Sequence, residues 1–353
     1  MNRAIRSRIV LWLLLLGVIA ISAGCGGYVA RRMVQAPNSY PAWLSSAAPV
    51  ELAFSSRFLT NFATQVVDVG PPPAQIRYRI VNPADYQLQL TTTNWVRRDR
   101  PHFKFTFKAN LPGEPTFWTP APRGTVVLLH GYGLAQYASV PWALRLAQEG
   151  WRCVLVDLRG HGASTGARVH FGLVETNDLS QLLNTLARDQ QLVEPVAVLG
   201  DSYGAALALR WQSVEPRVGP IIAIAPYARL STAVLNIRRE YAAWFPRICI
   251  QAGLRELPRL LEVDPDELDT LTVLDRHAVE ALFVAGADDR ISPVTDVHMV
   301  WEQAGAGSRF LEIPGATHEA LPYFFDDLVV PVLEWLDSGL DGWSQTRSAR
   351  GTP

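Results

Sequence analysis

The chain has 353 residues, 48% hydrophobic and 18% charged, which supplies a large apolar core and excludes a disordered protein. Its 32 basic and 33 acidic residues leave a net charge of -1, and the arginines are scattered rather than run together, so nothing asks for nucleic acid. Three cysteines make no disulfide framework.

At the amino terminus Arg3, Arg6 and Arg8 precede the apolar stretch Ile9 to Ile21, which gives way to Ser22-Ala23-Gly24-Cys25. The stretch is too short for a comfortable membrane span and has the layout of an export signal. The small residues before Cys25 resemble a bacterial lipobox, with Ser22 where leucine is usual. The expectation is a signal peptide over 1–24 and a lipidated Cys25 that holds the protein at the membrane of the cell envelope; a plain signal peptide or an uncleaved anchor are the alternatives. Residues 25–73 read as a spacer, with one candidate helix near Val50 to Phe62 and a proline stop at Pro71-Pro72-Pro73.

Ile76 to Val81, Gln87 to Leu90 and Phe103 to Lys108 alternate as half-exposed strands do, which suggests antiparallel strands at the edge of a sheet. Phe117-Trp118 reads as part of another. From Gly124 the rhythm changes to strand, helix, strand. The apolar runs Thr125 to Leu129, Cys153 to Val156 and Val196 to Leu199 read as buried strands, and Ile221 to Ala225, Ala281 to Ala285 and Phe310 to Ile313 as further strands. Between them lie helices at Ser139 to Gln148, with Ser139 as cap and Pro141 near the first position, and at Glu175 to Arg188, with its leucines on one face. This alternation implies an α/β fold, a mostly parallel sheet covered by helices on both faces.

Ligands of such a sheet bind beyond the carboxyl ends of its strands, so the loops there carry the chemistry. Gly200-Asp201-Ser202-Tyr203-Gly204 follows one apolar run and leads into a helix, which is the setting of a nucleophile elbow. Its glycines tolerate the close approach of strand and helix that such a turn forces. In the loop His130-Gly131-Tyr132-Gly133 a dinucleotide-binding reading fails, because Gln136 stands where a third glycine is needed. Position instead suggests an oxyanion loop, with the backbone N–H groups of Tyr132 and Tyr203 as donors. His130 reads as structural. Asp157 to Ser164 lacks the ending of a phosphate loop and reads as a structural turn bordering the site; contact of Arg159 or His161 with substrate is the lesser alternative.

A nucleophilic serine needs a base and a group to orient it, and in this fold the chain order is serine, acid, histidine. The loop Gly286 to Pro293 offers Asp288 and Asp289 as acids. Beyond it stand His298, within a helix-like stretch, and His318, in the loop after the last strand. The loop histidine is the better base.

Leu129-His130-Gly131, Asp157 to Ser164, the Glu175 and Asp178 pair, Gly200 to Gly204, Gly286 to Pro293 and Gly315 to Glu319 together resemble the α/β-hydrolase superfamily. The resemblance runs from about Gly124 to Leu336. It is to the monoacylglycerol lipase and lysophospholipase group, which overlaps the serine aminopeptidase S33 domain. It implies an α/β-hydrolase fold over 74–338 with a helical cap at about 229–277 and a tail over 339–353. It points to Asp289 as the acid, with Asp288 as runner-up, because the family's acid stands three residues after a glycine with an apolar residue and a proline following. Two positions depart from the family, Asp201 where histidine is frequent and Tyr203 where a smaller side chain is common. Asp201 is expected to gain from the helix dipole, and Tyr203 to narrow the floor of the site.

The cap carries Leu235, Ile237, Tyr241, Trp244, Phe245, Ile248, Ile250 and Leu254, either lining an acyl pocket or packing the cap onto the sheet. The resulting expectation is a serine hydrolase of carboxylic esters of a lipid-like kind, working through Ser202, His318 and Asp289 without metal or organic cofactor. A serine aminopeptidase using acidic residues at Asp264 to Asp269, and a non-catalytic envelope lipoprotein, are the rival expectations.

Overall fold

The computed structural model describes residues 25–39, 50–53, 56–97, 100–109 and 121–349. The export-signal reading of 1–24 and the strand suggested at Phe117-Trp118 lie outside them. A helix over residues 25–34 (α1) is followed by β1 (Val50–Ala53), β2 (Gln65–Val69), β3 (Ala74–Val81), β4 (Leu88–Arg97) and β5 (Arg100–Ala109). Then come β6 (Thr125–Leu129), α2 (Val140–Gln148), β7 (Arg152–Asp157), α3 (Glu175–Arg188), β8 (Val196–Asp201), α4 (Tyr203–Val214) and β9 (Val218–Ile224). Three cap helices follow, α5 (Leu230–Tyr241), α6 (Arg247–Leu261) and α7 (Thr270–Arg276), before β10 (Ala281–Gly286), α8 (Val294–Glu302), β11 (Arg309–Ile313) and α9 (Phe325–Ala349).

Eight strands form the main sheet in the order β11-β10-β9-β8-β6-β7-β3-β2. The six from β6 to β11 are parallel, and β3 and β2 add an antiparallel edge. Alternate residues of each parallel strand enter different cores. Val127, Val154, Val198, Ala223 and Phe283 face the leucines of α3, the alanines of α4 and Val297 and Val300 of α8. Val126, Leu155, Ala197, Ile222 and Val284 face α2 and the Leu328, Val332 and Leu336 stripe of α9. Burial on both faces is why the central strands β6, β8 and β10 are apolar along nearly their whole length, whereas the edge strand β11 is largely half-exposed or exposed and carries Arg309 and Glu312.

Three expectations need correction. Val50 to Phe62 is a strand and a 3-10 turn (Ser56–Asn61) rather than a helix. Only β3 of the alternating strands joins the main sheet; β4 and β5 pair with β1 in a separate three-stranded sheet. That small sheet turns Phe103 and Phe105 inward, where they stack on Phe324 and Phe325 with ring centroids 5.4 and 5.6 Å apart and cover the start of α9. Ser139 precedes α2 but its side chain makes no capping bond, because it is buried at the end of a 3-10 turn (Gln136–Ser139). Pro71 to Pro73 lie in the turn between β2 and β3. No described helix is long and apolar enough to cross a membrane.

Two local arrangements hold the loops in place. Gly204 sits so close to β6 that a Cβ there would collide with the carbonyl oxygen of Leu129. After β7, Arg159 makes two 2.7 Å hydrogen bonds to Asp178 of α3, with both side chains buried. Replacing Gly204 by Ala is expected to destabilise the fold by about 3 kcal/mol through overpacking. Gly219→Ala, whose Cβ would meet only an ordinary 3.4 Å contact with the Val196 carbonyl, is expected to cost about 0.5 kcal/mol or less. Urea titration of the two variants checks this. Arg159→Met should cost about 3–5 kcal/mol by stranding the Asp178 carboxylate, and Arg159→Met with Asp178→Leu should regain most of it; the same titration, run as a double-mutant cycle, decides.

Candidate active site

The turn from β8 into α4 fixes Ser202 in an unusual backbone conformation, φ 52° and ψ -109°. An L-residue with positive φ is strained, and such strain concentrates at functional sites. It is held there by the Ser202 N–H, which donates to the Ile224 carbonyl at 2.8 Å, and by the first hydrogen bonds of α4 onto the Ser202 carbonyl. Gly200 is required as well, because a Cβ on it would run into the Gly204 carbonyl. The outcome is a hydroxyl lifted off the end of the central strand, partly open to solvent.

His318 comes from the loop after β11, and its Nε2 lies 2.9 Å from Ser202 Oγ. Its Nδ1 lies 2.7 Å from Asp289 Oδ2. The other Asp289 oxygen accepts the backbone N–H groups of Ile291 and Ser292, at 2.7 and 2.8 Å. The carboxylate is thus buried and fixed from both sides, while Asp288 is exposed on the same loop. The structure therefore brings Ser202, His318 and Asp289 into one hydrogen-bonded line and leaves Asp288 outside it. His298 lies on α8, in ring contact with Trp301 and Phe310, far from this line in role and surroundings.

Charge tunes the histidine. Burial works to lower the His318 pKa, but the charge and hydrogen bond of Asp289, with the charge of Asp201, outweigh it and hold it above 6.5. Asp201 is pushed up to about 7, first by burial and then by Asp289 and Glu319, with His318 pulling the other way. The stabilisation by the helix dipole that the sequence suggests is smaller than this burial cost. The Asp201 carboxyl lies against the backbone of Gly131, where a Cβ would come within 3.3 Å of its Oδ2. Its Oδ1 is buried with no hydrogen-bond partner among the described residues.

The loops around the line are structural scaffolding. His130 is buried, its Nδ1 on the Gly131 carbonyl at 2.8 Å and its Nε2 accepting the Leu158 N–H at 3.2 Å. Burial pushes its pKa down to about 4, so it stays neutral. Asp157 gathers the backbone N–H groups of Gln136 and Ala163, tying the loop after β6 to the loop after β7. His161, pushed down to about 3 by burial and by His130, stacks on the Tyr203 ring with centroids 5.9 Å apart. Tyr203 is buried and packs edge-on against Phe171 and against the exposed ring of Tyr132. Its backbone N–H stays at the first turn of α4, next to the Ser202 hydroxyl, and Tyr132 sits in the facing loop. Among the described residues no group of three or more His, Cys, Asp or Glu could hold a metal ion.

The sequence did not reveal the segment ahead of the sheet as part of this surround. Residues 33–39 run along the loop after β7, where Val169 N–H donates to the Val34 carbonyl and Asn38 N–H to the Gly160 carbonyl. The Tyr132 hydroxyl donates to the Met33 carbonyl at 3.3 Å. Backbone bonds of this kind have no side-chain signature that could have announced them.

Residues 120–273 match the family described as serine aminopeptidase, S33, a span that holds Ser202 and ends before Asp289 and His318. An uncharacterized protein of Bacillus subtilis, YqkD, is 26% identical over 206 residues, which are 56% of this chain and 66% of that protein. A monoacylglycerol lipase of Mycolicibacterium smegmatis is 38% identical over 105 residues, 28% of this chain and 36% of the lipase. The chain thus spans less than two thirds of either relative. The esterase Pf2001 of Pyrococcus furiosus superposes with a TM-score of 0.57 at 18% identity, over 81% of this chain and 96% of the esterase. By its sheet order, its strand-turn-helix at Ser202 and these likenesses, the chain has the α/β-hydrolase fold, and residues 120–273 of it are similar to the serine aminopeptidase, S33, family.

Proposed function

We propose that the protein is a serine hydrolase of carboxylic esters, acting on a lipid-like ester by way of an acyl-enzyme. The observation that carries the reading is the unbroken line from Ser202 Oγ to His318 Nε2 and from His318 Nδ1 to Asp289 Oδ2, at 2.9 and 2.7 Å. In this reading His318 takes the Ser202 proton as the oxygen attacks the ester carbonyl, and Asp289 holds the imidazole in the right tautomer and stabilises its charged form. The Tyr132 and Tyr203 backbone N–H groups receive the oxyanion, each worth roughly 3 kcal/mol in the transition state. His318 returns the proton to the departing alcohol, and the same base then activates a water that releases the acid.

The lipid-like preference is supported by the cap. Leu235, Phe245, Ile250 and Leu254 are half-buried, and Ile237, Tyr241, Trp244 and Ile248 are exposed. None of the eight is buried, so they are not what fastens the cap; Leu230, Ala233, Leu257, Leu268 and Leu274 do that. Apolar side chains not consumed by the core are available to an acyl chain. The peptidase reading has less support, because two of its four acidic groups, Asp269 and Glu267, are engaged inside the cap. Asp269 accepts the Leu230 N–H at 3.0 Å, and Glu267 pairs with Arg276. The apolar amino terminus after Arg3, Arg6 and Arg8 supports export and attachment of this hydrolase to a membrane.

Assayed on nitrophenyl esters of increasing chain length, the full chain should show turnover that Ser202→Ala lowers by on the order of 10⁵-fold or more. Absence of turnover across the series, or equal turnover by Ser202→Ala, would overturn the reading. The pH dependence follows from the raised His318. Only neutral imidazole is a base, so kcat/KM should fall as pH drops through a midpoint above 6.5. Asp201→Asn removes one of the carboxylates that raise His318 and should move this acid limb to lower pH. A pH–rate profile with an unmoved midpoint would deny Asp201 that influence.

A further inference from the structure

At the carboxyl end of α4, away from the Ser202 turn, the helix meets cap helix α7 and the start of α3 around a cavity of about 210 Å³. Leu173, Val214 and Val273 give the cavity an apolar wall, and Arg210 and His277 give it a basic one. Val214 stands at the rim, 61% exposed. Glu267 and Arg276 also line it, but they pair with each other and cancel in charge.

Arg210 is built into this wall without a counter-ion. Its side chain is half-buried, and Gly172 at φ 95° makes room for it, since a Cβ there would stand 2.8 Å from the Arg210 Cδ. Its one hydrogen bond among the described residues runs from Nη2 to the backbone carbonyl of Glu267, and it forms no ion pair with a described carboxylate. Glu267 and Glu175 act on it only through space. The Glu267 carboxylate is taken by Arg276, and that of Glu175 accepts the N–H groups of His170 and Gly172 at 2.7 and 2.9 Å. Burial accordingly pulls the Arg210 pKa below its ordinary value, with Tyr227, Glu267 and Glu175 opposing. A guanidinium carries five N–H donors in a fixed fork, so Nε and Nη1 are left for a ligand. A charge taken out of water without a partner is costly, and an anion in the cavity would offset that cost.

We propose that this cavity binds a small organic carboxylate, its head on the Arg210 guanidinium and its apolar body against Leu173, Val214 and Val273. The fork of donors matches a carboxylate held by two parallel hydrogen bonds. Phosphate would satisfy the arginine too, but would leave the apolar wall uncovered. The volume lies below the roughly 300–1,000 Å³ of drug-sized ligand sites, which restricts the ligand to a small acid. Such a ligand would touch three parts of the fold at once. α4 carries the Ser202 turn at its other end, α7 leads into β10, and Gly172 follows Phe171, whose ring packs edge-on against Tyr203. A bound acid therefore fastens the end of the cap to α4. The proposal does not rest on the ester reading.

The test titrates the full chain with benzoate, acetate and inorganic phosphate in a calorimeter, and follows hydrogen exchange with and without benzoate. Benzoate should bind at one site, more tightly than acetate or phosphate, and slow exchange over 172–176 and 270–276. Arg210→Met should weaken benzoate binding by about tenfold or more, the scale of a lost charge-assisted hydrogen bond. Val214→Trp, placed on the exposed rim to fill the cavity, should weaken it at least as much without changing thermal unfolding, and it decides the matter where Arg210→Met does not fold. No heat with benzoate, or full affinity in Val214→Trp, would overturn the proposal. Protection confined to 286–293 and 315–319 would put the acid at the Ser202 site and overturn it as well. Phosphate binding more tightly than benzoate would overturn the carboxylate assignment.

Discussion

The structure depends on how closely β8, α4 and β6 can approach one another around Ser202. Gly200 leaves room for the Gly204 carbonyl, and Gly204 leaves room for the Leu129 carbonyl. With those two Cβ atoms absent, α4 can start directly after the strand, and Ser202 is driven to positive φ at the turn. The strain is local, and its cost is offset by what surrounds it. α4 buries Ala205, Leu207, Ala208, Leu209 and Trp211 in the core beneath the turn. The same approach brings the loop after β6 alongside the start of α4, which is the relation any pair of backbone donors around the Ser202 hydroxyl requires.

Around that hydroxyl the protein gathers three acidic side chains in addition to the imidazole. Asp289 is satisfied by two backbone N–H groups and by His318, so its charge is fully used. Asp201 and Glu319 have no such set of donors, and burial raises both. A charged Asp201 beside Gly131 would oppose an oxyanion forming in the same loop. Burial, by raising the carboxyl to about 7, favours its neutral form and so relieves part of that opposition. The residue that departs from the family is therefore tolerable where it stands. In the proposed reaction it acts through His318, as a weight on the proton balance rather than as a participant.

Much of this was legible in the sequence, for physical reasons that differ by element. Strands covered on both faces must be apolar throughout, so the inner parallel strands appeared as unbroken runs such as Val196 to Leu199. Loops at their carboxyl ends are short, and their polar residues stand out against those runs; hence Ser202, the Asp288-Asp289 pair and His318 could be singled out in chain order. Choosing between the two aspartates needed the family resemblance, because burial of one and exposure of the other is a tertiary fact. The alternation of Phe103, Phe105 and Phe107 announced a strand with one buried face but held no information on which sheet it joins. Asp201 was misjudged because a dipole is local and visible in sequence, whereas desolvation depends on the whole fold.

Least legible was the segment before β1. Its attachments are backbone hydrogen bonds to 160–169 and a crossing of small residues against α6, and neither leaves a periodic hydrophobic pattern. Small residues near an export signal read as spacer, and the same glycines that suggest slack are the ones that permit contact. The cap shows the converse. Its most conspicuous apolar side chain, Trp244, is 83% exposed, while the work of fastening falls to less conspicuous residues such as Ala233 and Leu257. A large apolar side chain left on the surface implies something outside the fold that covers it, and a pair of small residues buried between helices implies a joint. Taken together they describe a cap fastened on one side by α1 and apolar on its open face. That arrangement supports the lipid-like substrate proposed for the site.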